Sequence, residues 1–230
     1  SPWRSHPFSW NFLDAILSHE LGHNLGVIHA NSWECGRGKV ISGKSCTHNE
    51  YGNWYDVMGA GYLGLHFNAA FKDAFGWLGD SALTIREAGT YTLNPLEAKE
   101  GVFGARVQPP YLKERPYYLE FRRPIGFDAS LGTRKDPDTD IDSQGLFVNW
   151  TPRPDFPFTR LLDFSPSSPY FSDWFDTVLG PTYPRKFVDH GTGITIGPVL
   201  RADDSSITFK MSFQEPNCRK RNPAVELVYV

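Results

Sequence analysis

The stretch His19-Glu20-Leu21-Gly22-His23-Asn24-Leu25-Gly26-Val27-Ile28-His29 constrains this chain more than any other. On a helix, His19 and His23 stand about one turn apart on the same face, so both rings can reach a single metal ion. Gly26 is the residue type best suited to a positive φ, and it can end the helix so that the chain swings His29 round to the same ion. Three imidazoles and an open fourth position describe a catalytic zinc site rather than a structural one. Glu20, next to the first ligand, is placed to reach a water at the open position and accept its proton. The competing reading is a buried helix that carries histidines by chance; it requires the glycine and the third histidine to fall in register as well.

The eleven-residue pattern resembles that of the metzincin zinc peptidases. That resemblance implies a methionine turn beneath the metal, and Tyr55-Asp56-Val57-Met58-Gly59 supplies one of the chain's two methionines in a Gly-rich stretch after the third histidine. Met58 is expected to form an apolar floor with no chemistry of its own. Three later segments look like those that follow the zinc motif in gametolysin-like peptidases: Asn68 to Leu78, Gly89 to Leu93 and Tyr117 to Asp128. Gly191 to Ile196 looks like the closing β segment of that family. The likeness covers about residues 10 to 213, tightly at the zinc motif and more loosely beyond. One departure is Ala60, where some metzincins place a tyrosine two residues after the methionine. What the resemblance implies is a secreted zinc metalloendopeptidase with one catalytic zinc, acting on protein or glycoprotein substrates of the extracellular matrix or cell wall.

The implied fold is α+β: the lower part of a metzincin catalytic domain (active-site helix, methionine turn, short helix) in residues 1–80, then an antiparallel, sandwich-like β domain in 81–215. Residues 216–230 are a tail or the start of a further domain. Metzincins build a twisted sheet before the active-site helix, which Ser1 to Asn11 cannot supply, so the upstream catalytic subdomain is expected to be missing from this chain. Alone, the segment would expose an apolar patch where that half should sit.

Composition agrees with this outline. The 230 residues carry a net charge of −3, which gives no electrostatic footprint for nucleic acid or an anionic membrane. No apolar run approaches the roughly 18 residues of a membrane span. Aromatics at 15%, with 18 prolines and 21 glycines, favour β-rich structure with many turns.

Phe12 to Leu25 should form the first helix. Leu13, Leu17, Leu21 and Leu25 make one ridge and Phe12, Ile16, His19 and His23 the other side, a pattern expected of a buried helix. Ala30 to Trp54 is polar and Gly-rich and reads as loop. Asn68 should cap a short helix, Ala69 to Trp77, closed by Gly76 and Gly79. From Ser81 the period becomes two, with strands at Thr90–Leu93, Tyr117–Phe121, Gly145–Trp150, Gly193–Ile196 and Ser206–Met211. Val225 to Val230 is a further strand-like run that either opens another domain or edges the sandwich.

Cys35 and Cys46 flank a short loop between the third histidine and the methionine turn, where a local bridge is expected in a secreted protein, with two free thiols as the alternative. Cys218 is left over. Asp136, Asp138, Asp140 and Asp142 alternate as calcium ligands can, but the stretch lacks the glycine and glutamate of an EF-hand loop and reads as a solvated acidic loop. His6, His48, His66 and His190 have no ligand spacing, although His48 and His66 lie near enough to the methionine turn to line the cleft. Asn149-Trp150-Thr151 is a glycosylation sequon placed inside a strand and before a proline, which disfavours its use. A non-enzymatic alternative stays open: a secreted adhesion or binding module with a vestigial or truncated, inactive peptidase half.

Overall fold

The computed structural model describes residues 12–35, 39–41, 46–60, 65–112, 117–132, 145–151, 158–164, 178–181, 186–215 and 226–227. Within them the chain is a mixed α+β protein, mostly strands in two sheets with few helices. Helix α1 spans Phe12–Asn24 and stops where the glycine demands it. Gly26 has φ +94°, its N–H donates to the His23 carbonyl at 3.0 Å, and the Val27 N–H donates to the Gly22 carbonyl at 3.2 Å. This pair of bonds is the Schellman closure, which satisfies the last carbonyls of the helix. Helix α2, Ala69–Ala74, begins as expected, with the Asn68 side chain accepting from the Phe71 N–H at 3.1 Å. It ends earlier than Trp77, because Gly76 at φ +74° closes it with the same pair of bonds.

Twelve strands are described: β1 (Ala30–Cys35), β2 (Cys46–Asn49), β3 (Ala82–Ile85), β4 (Gly89–Leu93), β5 (Gly104–Val107), β6 (Tyr117–Phe121), β7 (Leu146–Trp150), β8 (Thr159–Leu162), β9 (Phe187–Asp189), β10 (Ile194–Ala202), β11 (Ile207–Phe213) and β12 (Glu226–Leu227). The first sheet has the order β2-β1-β8-β7-β6-β5-β3 and the second β12-β9-β10-β11-β4. One apolar cluster takes side chains from both sheets, among them Leu119, Phe121, Val148, Phe187, Ile196 and Phe209, all fully buried. The alternating strands expected at β4, β6, β7, β10 and β11 are present, and Glu226–Leu227 edges the second sheet by pairing with β9.

Three expectations need correction. Ala30 to Trp54 is not loop throughout: β1 and β2 pair antiparallel across it, with Cys35 opposite Cys46 and bridged to it by a disulfide. The pattern is hidden because the first three residues of β1 are all buried, Asn31 and Ser32 among them, so period two disappears. Nor is the first sheet wholly antiparallel, because β1 runs parallel to β8 and β3 parallel to β5. The pairing of β1 with β8 also joins the segment before residue 80 to strands after it in one sheet. Finally, α1 is not buried on both sides. Ala15 and Gly22 face inward, whereas Leu13, Leu17 and Leu21 are 66, 61 and 53% exposed.

His6, Gly61, Gly64, the aspartates from Asp136 to Asp142 and Cys218 lie outside the described residues. Among those described, no helix is long and apolar enough to cross a membrane. Asn149 is fully buried in β7, where its side-chain oxygen accepts from Asn53 at 3.5 Å, a setting with no room for a glycan.

Candidate metal centre

The Schellman turn at Gly26 delivers His29 to the two histidines of α1, and the three residues each offer one ring nitrogen within 4.8 Å of the others. The second nitrogen of every ring is already engaged. His19 Nδ1 lies 2.9 Å from the Val57 carbonyl, His23 Nδ1 3.0 Å from the Val27 carbonyl and His29 Nδ1 2.7 Å from the Glu50 carboxylate. Carbonyl and carboxylate oxygens only accept, so the proton sits on Nδ1 of each neutral ring and the Nε2 lone pairs are left for a metal. Orientation of ligand histidines through such contacts is the usual support of a metal site. Three neutral imidazoles fit zinc by donor type and number, and one of the three, His19, also lines an adjoining cleft.

That cleft has a volume of about 270 Å³ and is lined by Ala15, Ile16, His19, Glu20, Tyr51 and Val57, together with Gly59. Glu20, next to His19, is exposed and lines the same cleft. His48 and His66 do not line it. His48 is on β2, and His190 is exposed in the turn after β9.

Below the histidines lies a close-packed floor. Met58 is fully buried with Val27, Ala30, Val57, Phe67 and Phe71. A Cβ on Gly22 would collide with the Met58 sulfur and the Phe67 ring, so the glycine between the two helix histidines lets α1 settle directly on the methionine. Main-chain bonds lock the turn in place: the Ala30 N–H donates to the Met58 carbonyl at 3.0 Å and the Asn53 N–H to the Ala30 carbonyl at 3.2 Å.

Buried charge braces this floor, and the sequence alone did not mark it. Asp56 accepts from the Met58 N–H at 2.6 Å and the Asn68 N–H at 2.5 Å, linking the methionine turn to the start of α2. Burial pushes its pKa up to about 7 despite those two bonds. Arg122, just beyond β6 and fully buried, donates to Asp128 at 2.5 and 2.9 Å, to the Tyr55 carbonyl, and to the His66 carbonyl at 3.3 Å. Glu120 accepts from the Ala69 N–H and lies 3.6 Å from Arg122. Glu120, Arg122 and Asp128 fall within the segment Tyr117 to Asp128, which reads locally only as a strand and its exit.

Glu50 and Tyr51 were also missed. Both follow β2, where polar sequence offers no periodic signal. Glu50 holds His29, and the Tyr51 ring packs against His29 with centroids 3.8 Å apart and planes tilted by 34°. No family model, curated protein or solved structure matches this chain.

Proposed function

We propose that this chain is the zinc-bearing part of a secreted metalloendopeptidase of metzincin type, similar to gametolysin, that hydrolyses peptide bonds in extracellular matrix or cell-wall proteins. The observation that carries the reading is the convergence of His19, His23 and His29 with every Nδ1 tied to an acceptor beneath or beside it. These are the residues that would hold the metal. When bound, zinc supplies Lewis acidity, which polarises a carbonyl and makes water acidic near neutral pH.

The chain's own groups do the remainder. Glu20, at the cleft, accepts the proton of the attacking water on its carboxylate and returns it to the departing amine nitrogen. Val57, Val27 and Glu50 keep the rings in the ligating tautomer and orientation. Met58 closes the site from below with an apolar surface. The Cys35–Cys46 disulfide supports an oxidising, extracellular setting.

The test separates ligand from base. Metal analysis should give about one zinc per chain, and His23→Ala should lose it. Glu20→Ala should keep the zinc while kcat on a peptide substrate falls by a factor of about 100 or more. Full zinc occupancy in the His23 variant would sink the three-histidine metal site, full activity in the Glu20 variant would remove Glu20 as the base, and no peptide hydrolysis by the zinc-loaded parent would sink the peptidase reading and leave the β sheets as the functional part.

A further inference from the structure

Tyr51 is the one described residue other than glycine with a positive φ, +61°. L-residues with bulky side chains rarely adopt that conformation, and such outliers concentrate where a site over-determines them. Here the backbone is held on both sides. The Tyr51 N–H donates to Asn31 Oδ1 at 3.1 Å, and the amide of Asn31 donates to the His29 carbonyl at 3.0 Å. The Tyr51 carbonyl accepts from the Ala60 N–H at 2.8 Å, and the Gly52 N–H closes the turn on the Asn49 carbonyl at 3.1 Å. Gly52 has no space for a side chain, because a Cβ there would meet Ser32 and the Asn49 carbonyl. The turn is thus tied to the third histidine at one end and to the methionine turn at the other. Its outcome is a phenol ring packed at a tilt against His29 and 5.9 Å from the ring of His19, in the wall of the cleft that also holds Glu20.

Among the described side chains that line the cleft, His19, Glu20 and Tyr51 alone carry polar atoms. His19 uses Nδ1 on Val57 and turns its lone pair toward the metal position, and Glu20 serves as an acceptor. A peptide carbonyl under attack by water gains negative charge on oxygen, and donors already aimed at that oxygen supply much of an enzyme's rate enhancement. Of the described lining side chains, only the Tyr51 hydroxyl can be such a donor. We propose that Tyr51 is a further catalytic residue of this site: its O–H donates a hydrogen bond to the oxygen of the scissile carbonyl as that oxygen becomes negative, and the phenol keeps its proton throughout. This rests on the peptidase reading above.

The experiment uses the full chain and Tyr51→Phe, which keeps the ring on His29 and removes only the hydroxyl. Two ligands are titrated: a phosphinic peptide, whose tetrahedral anion places a charged oxygen where the carbonyl oxygen would be, and the matching reduced-amide peptide, which has no such oxygen. Tyr51→Phe should hold about one zinc per chain and bind the reduced amide within about twofold of the parent. It should bind the phosphinic peptide roughly 10- to 100-fold more weakly and lose about 100-fold in kcat with KM little changed. Tyr51→Asn, whose side chain tolerates the positive φ, should show the same loss with a turn at least as stable. Phosphinic-peptide affinity and kcat equal to the parent in Tyr51→Phe would overturn the proposal and make Tyr51 a packing residue. Failure of the parent chain to bind zinc and the phosphinic peptide would remove the peptidase reading and this proposal together, so the protein that fails distinguishes the two.

Discussion

Helix α1 carries His19, Glu20 and His23 but turns its leucine ridge to solvent, whereas the segment beneath it buries Asp56, Met58 and Asn68 completely. The two sides of the site divide the labour. The helix supplies spacing, two rings a turn apart, which depends only on local geometry. The floor supplies aim: His19 is oriented by the Val57 carbonyl, and the turn that contains Val57 is held by Asp56, Arg122 and the Met58 carbonyl. A change on the outer face of the helix should therefore matter little, and one in the floor should reach the histidines.

The largest effect is expected at Arg122. Arg122→Met keeps an unbranched apolar stem but leaves Asp128 and Glu120 buried without the guanidinium, and removes the donor that Arg122 gives to the Tyr55 and His66 carbonyls. Removing one partner of a buried pair costs about 3–5 kcal/mol. Urea denaturation should show that loss, and zinc affinity should fall with it. A loss below about 1 kcal/mol would mean that the floor is held by packing alone and that the contrast with α1 is one of burial, not of charge.

What could be read in advance follows the same division. The histidine spacing, the helix-ending Gly26, the Asn68 cap and the Cys35–Cys46 pairing are local: the three rings lie together, α1 ends at Gly26, Asn68 caps α2 and the two cysteines are bonded. Met58 was singled out by the resemblance rather than by spacing, and it is buried beside Val27, Ala30 and Val57. Strands with clear alternation, such as Gly89–Leu93 and Ile207–Phe213, were equally legible. The short strands Ala82–Ile85, Gly104–Val107, Thr159–Leu162 and Phe187–Asp189 were not, since three or four residues carry too little period to register. The parallel pairing of Ala30–Cys35 with Thr159–Leu162, and the contacts of Arg122 with Tyr55 and His66, join residues far apart in sequence. No window along the chain contains both partners.

A second, intermediate effect concerns pH. His66 lies in the same braced region and is lowered to about 3, by burial first and then by the positive charges of Lys72 and Arg122. Between about pH 4 and 6.5 the unfolded chain binds this proton and the folded chain does not, so the group's contribution to stability is present above its unfolded pKa and is lost as pH falls. Asp56, raised to about 7, has the opposite sign: the folded chain keeps a proton that the unfolded chain has released, and stability falls as pH rises. The two slopes, each about 1.4 kcal/mol per pH unit, offset one another over that range. Replacing His66 with Leu removes one of them. The stability difference between variant and parent should change by about 2 kcal/mol from pH 4.5 to 6.5, with the variant relatively better at the acid end. Parallel profiles from urea denaturation at the two pH values would show that His66 titrates normally and that the floor is wetter than its burial indicates.

The smallest effect is expected on the outer face of α1, and it sharpens the comparison from the other side. Leu17 and Leu21 are mostly exposed, so Leu17→Gln with Leu21→Gln gives up little buried apolar surface. Glutamine has nearly the helix propensity of leucine, so the helix itself is not weakened. Each substitution should thus leave stability within about 0.5 kcal/mol of the parent, the range of surface changes away from special features. The histidine spacing and the floor are untouched, so zinc stoichiometry should be unchanged as well. The ridge formed with Leu13 is an apolar patch, and patches of that kind drive association. Sedimentation velocity should accordingly show less self-association in the double variant than in the parent. A loss of more than about 1 kcal/mol, or of zinc, would show that the leucine ridge is covered in solution and takes part in aiming the histidines, and the division between a helix that spaces and a floor that aims would fall.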